Sequence, residues 1–429
     1  MRFLWGLFPA VLLLACNVQK PGVSINEDEV GRIIKVLSSD EMQGRAAFTP
    51  GSEKAALFIE NEFKKIGLEP LSGENGFRQE FFRTKISPAT IEASVNGDSI
   101  DPSNVLVLTD LPGLNWNNNG EVVIDSIIPG DDFLSKFKEI LQKENKTVVF
   151  VDKRFSAIFS RFRAHYGKGR AVEQIDNESA AVFILGAKDP KSFRVNFTNH
   201  IEKLPLFNVA GVLPGKSLDK EFVVFSAHYD HIGIPEPLEG DPIANGADDD
   251  ASGVTAVLAL AGYFKKLNTN QRTLVFVAFT AEEIGGLGSR YFSEKLKSEE
   301  IKAMFNMEMI GKESKFGRNA AFITGFDKSN FGQILQKNLK GTGYHFYPDP
   351  YPEQNLFYRS DNATLAALGV PAHTISTVQI DKDENYHTVN DEVETLDLEN
   401  ITATIKAIAI SSRTIISGKD TPTRISREK

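Results

Sequence analysis

FVVFSAHYDHIG, residues 222–233, is the stretch from which the rest of the chain is read. Its opening run FVVF is β-branched and aromatic, the composition of a buried strand. His228, Asp230 and His231 follow directly. Open α/β sheets place their chemistry at such C-terminal strand ends. On an extended chain residues 228 and 230 face the same side, so Asp230 is positioned to hold the His228 imidazole in one tautomer.

Three further acidic clusters interrupt the pattern downstream: GADDDASG (246–253), AFTAEEIGG (278–286) and NMEMIG (306–311), with a late YH at 386–387. Three adjacent aspartates repel one another unless a cation compensates them, and a helix cap accounts for only one. Glu282 and Glu283 follow the apolar run TLVFVAF, where neighbouring side chains diverge. One carboxylate of that pair can bind metal while the other moves a proton. Glu308 interrupts the apolar strand AMFNMEM, and a buried unpaired carboxylate there is costly without a cation. These clusters read together as a metal site.

From 203 onward, strand and helix patterns alternate: FVVFSA, a helix over about 253–267, TLVFVAF, a helix from about 289, AMFNMEM, AFITG, a helix, VPAHTIS and a last helix over about 397–415. The expected fold class is α/β, a mixed, mainly parallel sheet sandwiched by helices. Before it, the apolar spacing of VGRIIKVLSS and EKAALFIENEFKKIG predicts two helices. The joint between them carries Arg45 after Gly44; it is read as a loop returning toward the site or as the holder of a structural salt bridge. Residues 96–202 differ in texture, with short apolar runs, NNNG and a basic run from Arg161 to Arg170, and are expected to form a smaller β-rich insert. Their His165 and His200 have no plausible ligand nearby in sequence. The main domain is therefore expected over 28–95 and 203–417, with a loose tail over 418–429.

The 429 residues are 41% hydrophobic and 24% charged, with a net charge of -9, a balance that argues against a nucleic-acid partner. MRFLWGLFPAVLLLA, residues 1–15, has one early arginine and an apolar run too short to span a membrane, as in an export signal. The run ends at Cys16, the only cysteine, and LLAC resembles a bacterial lipobox. Residues 16–27 then read as a tether from a lipidated Cys16 to the domain, placing the protein in the bacterial cell envelope, anchored to a membrane. With no second thiol, any metal must be held by His, Asp and Glu.

In order, AHYDHIG, GADDDASG, AFTAEEIGGLGS, NMEMIG, YRSDN with GVPA, and YHTVNDEVETLD resemble metallopeptidase family twenty-eight, the two-zinc co-catalytic aminopeptidases. The opening LSSDEMQGRAAFTPGSEKAALFIENEFKKIGLEPL is similar to that family's first segment. The resemblance implies the zinc aminopeptidase, or phosphorylase/hydrolase-like, fold and peptide substrates. It further implies two zinc ions held by His228, Asp249, Glu283, Glu308 and His387. Asp249 would bridge, next to a peptide bond to Asp250 that is commonly cis in the family. Glu282 would be the general acid/base acting on a metal-activated water, and Asp230 the partner of His228.

Glu308 departs from the aspartate usual in the family's aminopeptidases. The related glutaminyl cyclases use one zinc on the same fold, so an acyl transferase releasing ammonia from N-terminal glutamine is the alternative. A non-catalytic binding lipoprotein is a third reading, against which the intact ligand set weighs. The aromatic segment GYHFYPDPYPEQNLFYRSD (343–361) is expected to wall a side-chain pocket, with His345 and His373 outside the ligand set and His231 supporting the site loop.

Overall fold

The computed structural model describes residues 23–118, 122–143, 145–167, 169–173, 175, 179–187, 189–235 and 240–427. The expected export signal, Cys16 and most of the tether lie outside them. Among the described residues no helix is long and apolar enough to cross a membrane. The chain forms two compact units, one running up to Gln79 and resuming at Asn208, the other Glu80–Phe207.

In the first unit, helices α1 (Glu27–Leu37) and α2 (Pro50–Ile66) form where the apolar spacing predicts them. Asn26 caps α1 by accepting the Asp28 N–H at 2.9 Å. Pro50 opens α2, and Gly67 ends it with φ of 79°. The sheet of this unit uses β1 (Phe193–Leu213, paired here through 209–213), β2 (Leu218–His228), β3 (Arg272–Phe279), β4 (Ile301–Met307), β5 (Ala320–Ile323), β6 (His345–Pro348) and β7 (Ala372–Ser376). Their order is β6-β5-β7-β4-β2-β3-β1. The four central strands β7, β4, β2 and β3 are mutually parallel, whereas β1 and β5 join antiparallel.

Helices α3 (Gly253–Leu267), α4 (Leu287–Lys295), α5 (Phe331–Asn338), α6 (Asn362–Ala367) and α7 (Leu398–Ser411) complete the unit. Alternate residues of each central strand serve opposite faces, so both must be covered, and RTLVFVAF is buried throughout. On one face Phe225 stacks between Phe276 and Phe305 and meets Phe264 of α3, while Phe305 meets Phe331 of α5. On the other, Val224, Val275, Val277 and Met304 pack with Phe292 of α4 and Leu365 of α6. Each such buried side chain contributes about 1.5–3 kcal/mol relative to exposure.

The tail is not loose over its described length. Arg424 donates to the carbonyls of Ser298 and Ile301, Arg272 holds the Asp420 carbonyl and the Thr421 hydroxyl, and Ile425 is buried. Its polar composition concealed one apolar anchor and a set of backbone acceptors that only the folded sheet supplies.

The second unit contains the expected 96–202 segment but is less purely β than its sequence suggested. A four-stranded sheet, ordered Val105–Thr109, Ala180–Leu185, Lys146–Val151 and Val123–Ile127, carries helices Phe133–Gln142 and Ser156–Tyr166. Phe133, Phe137 and Ile140 recur at helical spacing and are buried. Much of the basic run lies on the second helix, where its charges face solvent. His165 and His200 are exposed, and His200 lies 3.5 Å from Glu202.

Candidate metal centre

The parallel strands deliver the singled-out side chains to one end of the sheet. His228 is the last residue of β2. Glu282 and Glu283 follow β3 by a short turn, in which Ala281 takes φ of 58°. Glu308 sits one residue beyond β4, not within it, and donates its N–H to the Ile375 carbonyl at 3.2 Å. Asp249 and Asp250 occupy the turn into α3, and His387 lies in the loop between β7 and α7.

The bridge between these groups is Asp249. Its Oδ1 lies 3.2 Å from His228 Nε2 and its Oδ2 3.2 Å from His387 Nε2. Glu308 Oε1 is 3.3 Å from the same nitrogen of His228, and Glu283 Oε2 is 3.0 Å from that of His387. Two clusters of one imidazole nitrogen and two carboxylate oxygens therefore share one aspartate. Such nitrogen and oxygen sets suit zinc, and the residues present fit two ions. The extra methylene of Glu308 does not remove its carboxylate from the cluster.

Asp250 and His231 also lie within metal-binding reach, the former with His228 and Glu308, the latter with Asp249 and Glu283. Asp250 is already engaged, since its Oδ1 accepts the N–H groups of Gly253 and Met309 and its Oδ2 that of His228. His231 Nδ1 is 2.8 Å from Glu283 Oε1 and orients that carboxylate. Asp248 Oδ1 accepts the Gly311 N–H at 2.7 Å, and its Oδ2 lies 3.6 Å from Lys312 Nζ. Only the middle member of the aspartate run thus meets both His228 and His387. Its neighbours are engaged by backbone N–H groups and a lysine, yet burial and nearby carboxylates still raise both above the ordinary carboxylate range. The Asp249–Asp250 peptide is cis, as the resemblance implied.

Asp230 acts differently from the expectation. His228 Nδ1 meets the Asp230 backbone carbonyl at 3.0 Å, while the nearer carboxylate oxygen is 3.9 Å away. The carboxylate instead accepts the backbone N–H groups of Glu282 at 3.1 Å and Glu283 at 3.3 Å. Side-chain alternation placed 228 and 230 on one side, but the chain turns out of the sheet at 229 and presents the carbonyl.

Ser360 and Asp391 lie in the YRSDN and YHTVNDEVETLD motifs, but nothing in the sequence assigned either a supporting role. Asp391, from the NDEVETLD motif, accepts the N–H groups of Asp248 and Asp249. Ser360 donates to Glu308 Oε2 at 2.6 Å and is itself bonded to Asn306, which accepts from Ser226. Arg45 forms no ion pair among the described residues and donates only to carbonyls, so the salt-bridge expectation fails. His373 is packed on Phe331 with its nitrogens near the Thr324 carbonyl and Ser329 Oγ, and burial lowers it to about 4.

The field at the centre is strongly anionic. Burial lowers His387, but Asp249 and Glu283 overcome it and hold the imidazole at about 10. Burial also opposes the charged form of His228, yet Glu308 and Asp249 hold it well above its ordinary value. Glu282 is pushed well above the usual carboxylate range by burial, with His228 opposing and Glu308 and Asp361 adding to the rise. Cations are what such a cluster attracts.

Beside Glu308 opens a cavity walled by Met309, Phe322, Leu356, Val378, Ile380 and Tyr386. Of the aromatic segment, Leu356, Arg359 and Ser360 reach it, whereas His345 is exposed and lies near Gln336. Tyr386 stacks on His387 with centroids 4.0 Å apart. Burial, and then the carboxylates of Asp249, Glu283 and Glu308, keep its phenol protonated.

Residues 208–411 match Peptidase family M28. The chain is 32% identical over 204 residues to a probable leucine aminopeptidase of Trichophyton verrucosum, covering 45% of this chain and 53% of that protein. It is 29% identical over 276 residues to one of Arthroderma otae, covering 62% and 68%. Thus it spans about half the length of the first of these relatives. Among solved structures, the aminopeptidase of Aneurinibacillus sp. strain AM-1 superposes with a TM-score of 0.59 at 20% identity over 94% of this chain and 96% of that one. BSAP, a zinc aminopeptidase from Bacillus subtilis, gives 0.57 at 16% over 95% and 99%. At these identities the structural likeness is one of fold.

Proposed function

We propose that this chain, whose residues 208–411 match peptidase family M28, is a zinc-dependent aminopeptidase that removes N-terminal residues from peptides. The observation that carries this reading is Asp249, whose two oxygens each face a different histidine at 3.2 Å. His228, Asp249 and Glu308 would hold one zinc, and His387, Asp249 and Glu283 the other. When bound, the ions supply a water of lowered pKa and polarise the carbonyl of the scissile bond.

Glu282 is a carboxylate beside these clusters that belongs to neither and carries a raised proton affinity. Burial raises its proton affinity, as suits a group that takes a proton from water and returns it to the leaving amine. Asp230 fixes its backbone. Glu308 lies both in one cluster and on the pocket wall, so a first side chain filling the pocket brings the substrate's α-amino group to the carboxylates. The apolar walls favour leucine-like or aromatic first residues.

Elemental analysis of a soluble form starting after Cys16, paired with hydrolysis of aminoacyl p-nitroanilides before and after chelation, tests the proposal. Two zinc ions per chain, with activity lost on chelation and restored by zinc, is the expected result. One zinc with ammonia release from N-terminal glutamine would move the assignment to the cyclase reaction.

The apolar run ending at Cys16 supports export and lipid anchoring in the cell envelope. Metabolic labelling with a palmitate analogue, lost in Cys16→Ala, is the corresponding test.

A further inference from the structure

The guanidinium of Arg45 lies under the metal centre, in a residue only 1% exposed. It reaches there from the joint between α1 and α2, where Gln43, Gly44 and Arg45 all take positive φ, of 52°, 63° and 53°. A side chain at Gly44 would collide with the carbonyl oxygens of Gly233 and Ala244 at 2.5 Å. Glycine is therefore required for the joint to come this close.

Arg45 donates to five carbonyls: Leu37 at 2.6 Å, Tyr229 at 2.8 Å, Asn245 at 2.5 Å, Gly246 at 2.8 Å and Asp249 at 3.4 Å. The last four belong to the two segments that carry His228 with Asp230 and Asp249. Those carbonyls fall outside the sheet ladder in buried residues, and although the Gly246 oxygen also accepts the Ala251 N–H at 3.3 Å, losing the guanidinium removes a donor from each of them. The planar fork of a guanidinium aims five donors in fixed, spread directions, where an ammonium offers three from a single point. Its charge also offsets that of Asp249, Asp391, Asp230 and Asp250, all close enough to favour its charged form against the cost of burial.

We propose that Arg45 is a positioning residue that holds the bridging Asp249 and the His228 strand end in binding geometry before metal arrives, so that zinc enters a prebuilt centre. The proposal rests on the two-zinc reading of the site. Because ordering the loops is then part of folding and not of metal binding, removing Arg45 transfers that cost to the binding step. By linkage the zinc-loaded protein should then lose more stability than the metal-free one, whereas simple structural support would lower both alike.

The test uses Arg45→Met and Arg45→Lys in the soluble chain, with zinc affinity measured by competition with a chromophoric chelator and Tm measured with and without zinc. Expected are a loss of zinc affinity of about ten- to a hundredfold, the range for lost outer support of a metal site, a correspondingly narrower gap between metal-free and zinc-loaded Tm, and partial recovery of affinity in Arg45→Met with low-millimolar guanidinium. Unchanged zinc affinity with equal Tm losses in both forms overturns the proposal. Should Arg45→Met be insoluble, Arg45→Lys decides, because it keeps the charge and loses the fork. A wild-type chain that takes up no zinc would overturn the reading of the site itself, a result distinct from an Arg45 variant that binds as the wild type does.

Discussion

Asp230 Oδ1 accepts the backbone N–H of Glu282 at 3.1 Å, tying the end of β2 to the turn after β3. Through Oδ2 the same carboxylate holds Glu283. It therefore fixes a proton-transfer group and a candidate zinc ligand together. Asp230→Ala should lower kcat by about ten- to a hundredfold with a smaller change in KM, as expected for lost support of a metal site. Steady-state kinetics at saturating zinc decide this; an unchanged kcat would mean the turn holds itself.

Glu282→Gln removes the proton acceptor while leaving both N,O,O clusters intact. Zinc content should stay at the wild-type value, and kcat should fall by about 10²–10⁴, the range for a general base. Full turnover in this variant would sink the assignment.

The two histidines are not equivalent partners of one ion. His387→Ala should leave the cluster of His228, Asp249 and Glu308 able to bind one zinc, and His228→Ala the converse, whereas Asp249→Ala should weaken both. Metal per chain after dialysis against buffered zinc gives the count, and loss of all metal in His387→Ala would argue against two separable positions.

The metal-free protein should lose stability as pH rises. His387 is raised from 6.5 to about 10 in the fold, so its contribution is fully present below about pH 6.5 and lost on the way to pH 10. Burial raises Asp230 from 3.8 to about 6 and Asp248, with Asp391 adding to it, to about 7. The folded state therefore binds these protons more tightly too, and their contribution fades above about pH 4. Urea unfolding of metal-free protein should show a lower midpoint at pH 9 than at pH 6. Zinc must displace the imidazole protons, so its affinity should climb over the same range, with proton release visible by calorimetry in buffers of different ionisation enthalpy.

Val378→Asp places a charge on the apolar pocket wall. Hydrolysis of leucine p-nitroanilide should drop by about two orders of magnitude in kcat/KM, in line with the cost of an unpaired buried carboxylate, while lysine substrates lose less. Equal losses on both would place the first side chain elsewhere.

By itself the sequence determined the alternation of strands and helices, the mainly parallel sheet and the side chains at its end. The reason is local: FVVF and TLVFVAF have the composition of strands buried on both faces, and polar ligand types that interrupt such runs fall where the strands stop. What it could not determine is which oxygen meets which nitrogen. Asp248, Asp249 and Asp250 are chemically alike along the chain, and only their partners distant in sequence, Lys312, His387 and Met309 among them, make one a bridge and two of them struts. The same holds for Arg45, 204 residues from Asp249 and bonded only to carbonyls, which leave no trace in side-chain identity. Backbone acceptors belong to every residue, so their use is decided by tertiary structure alone.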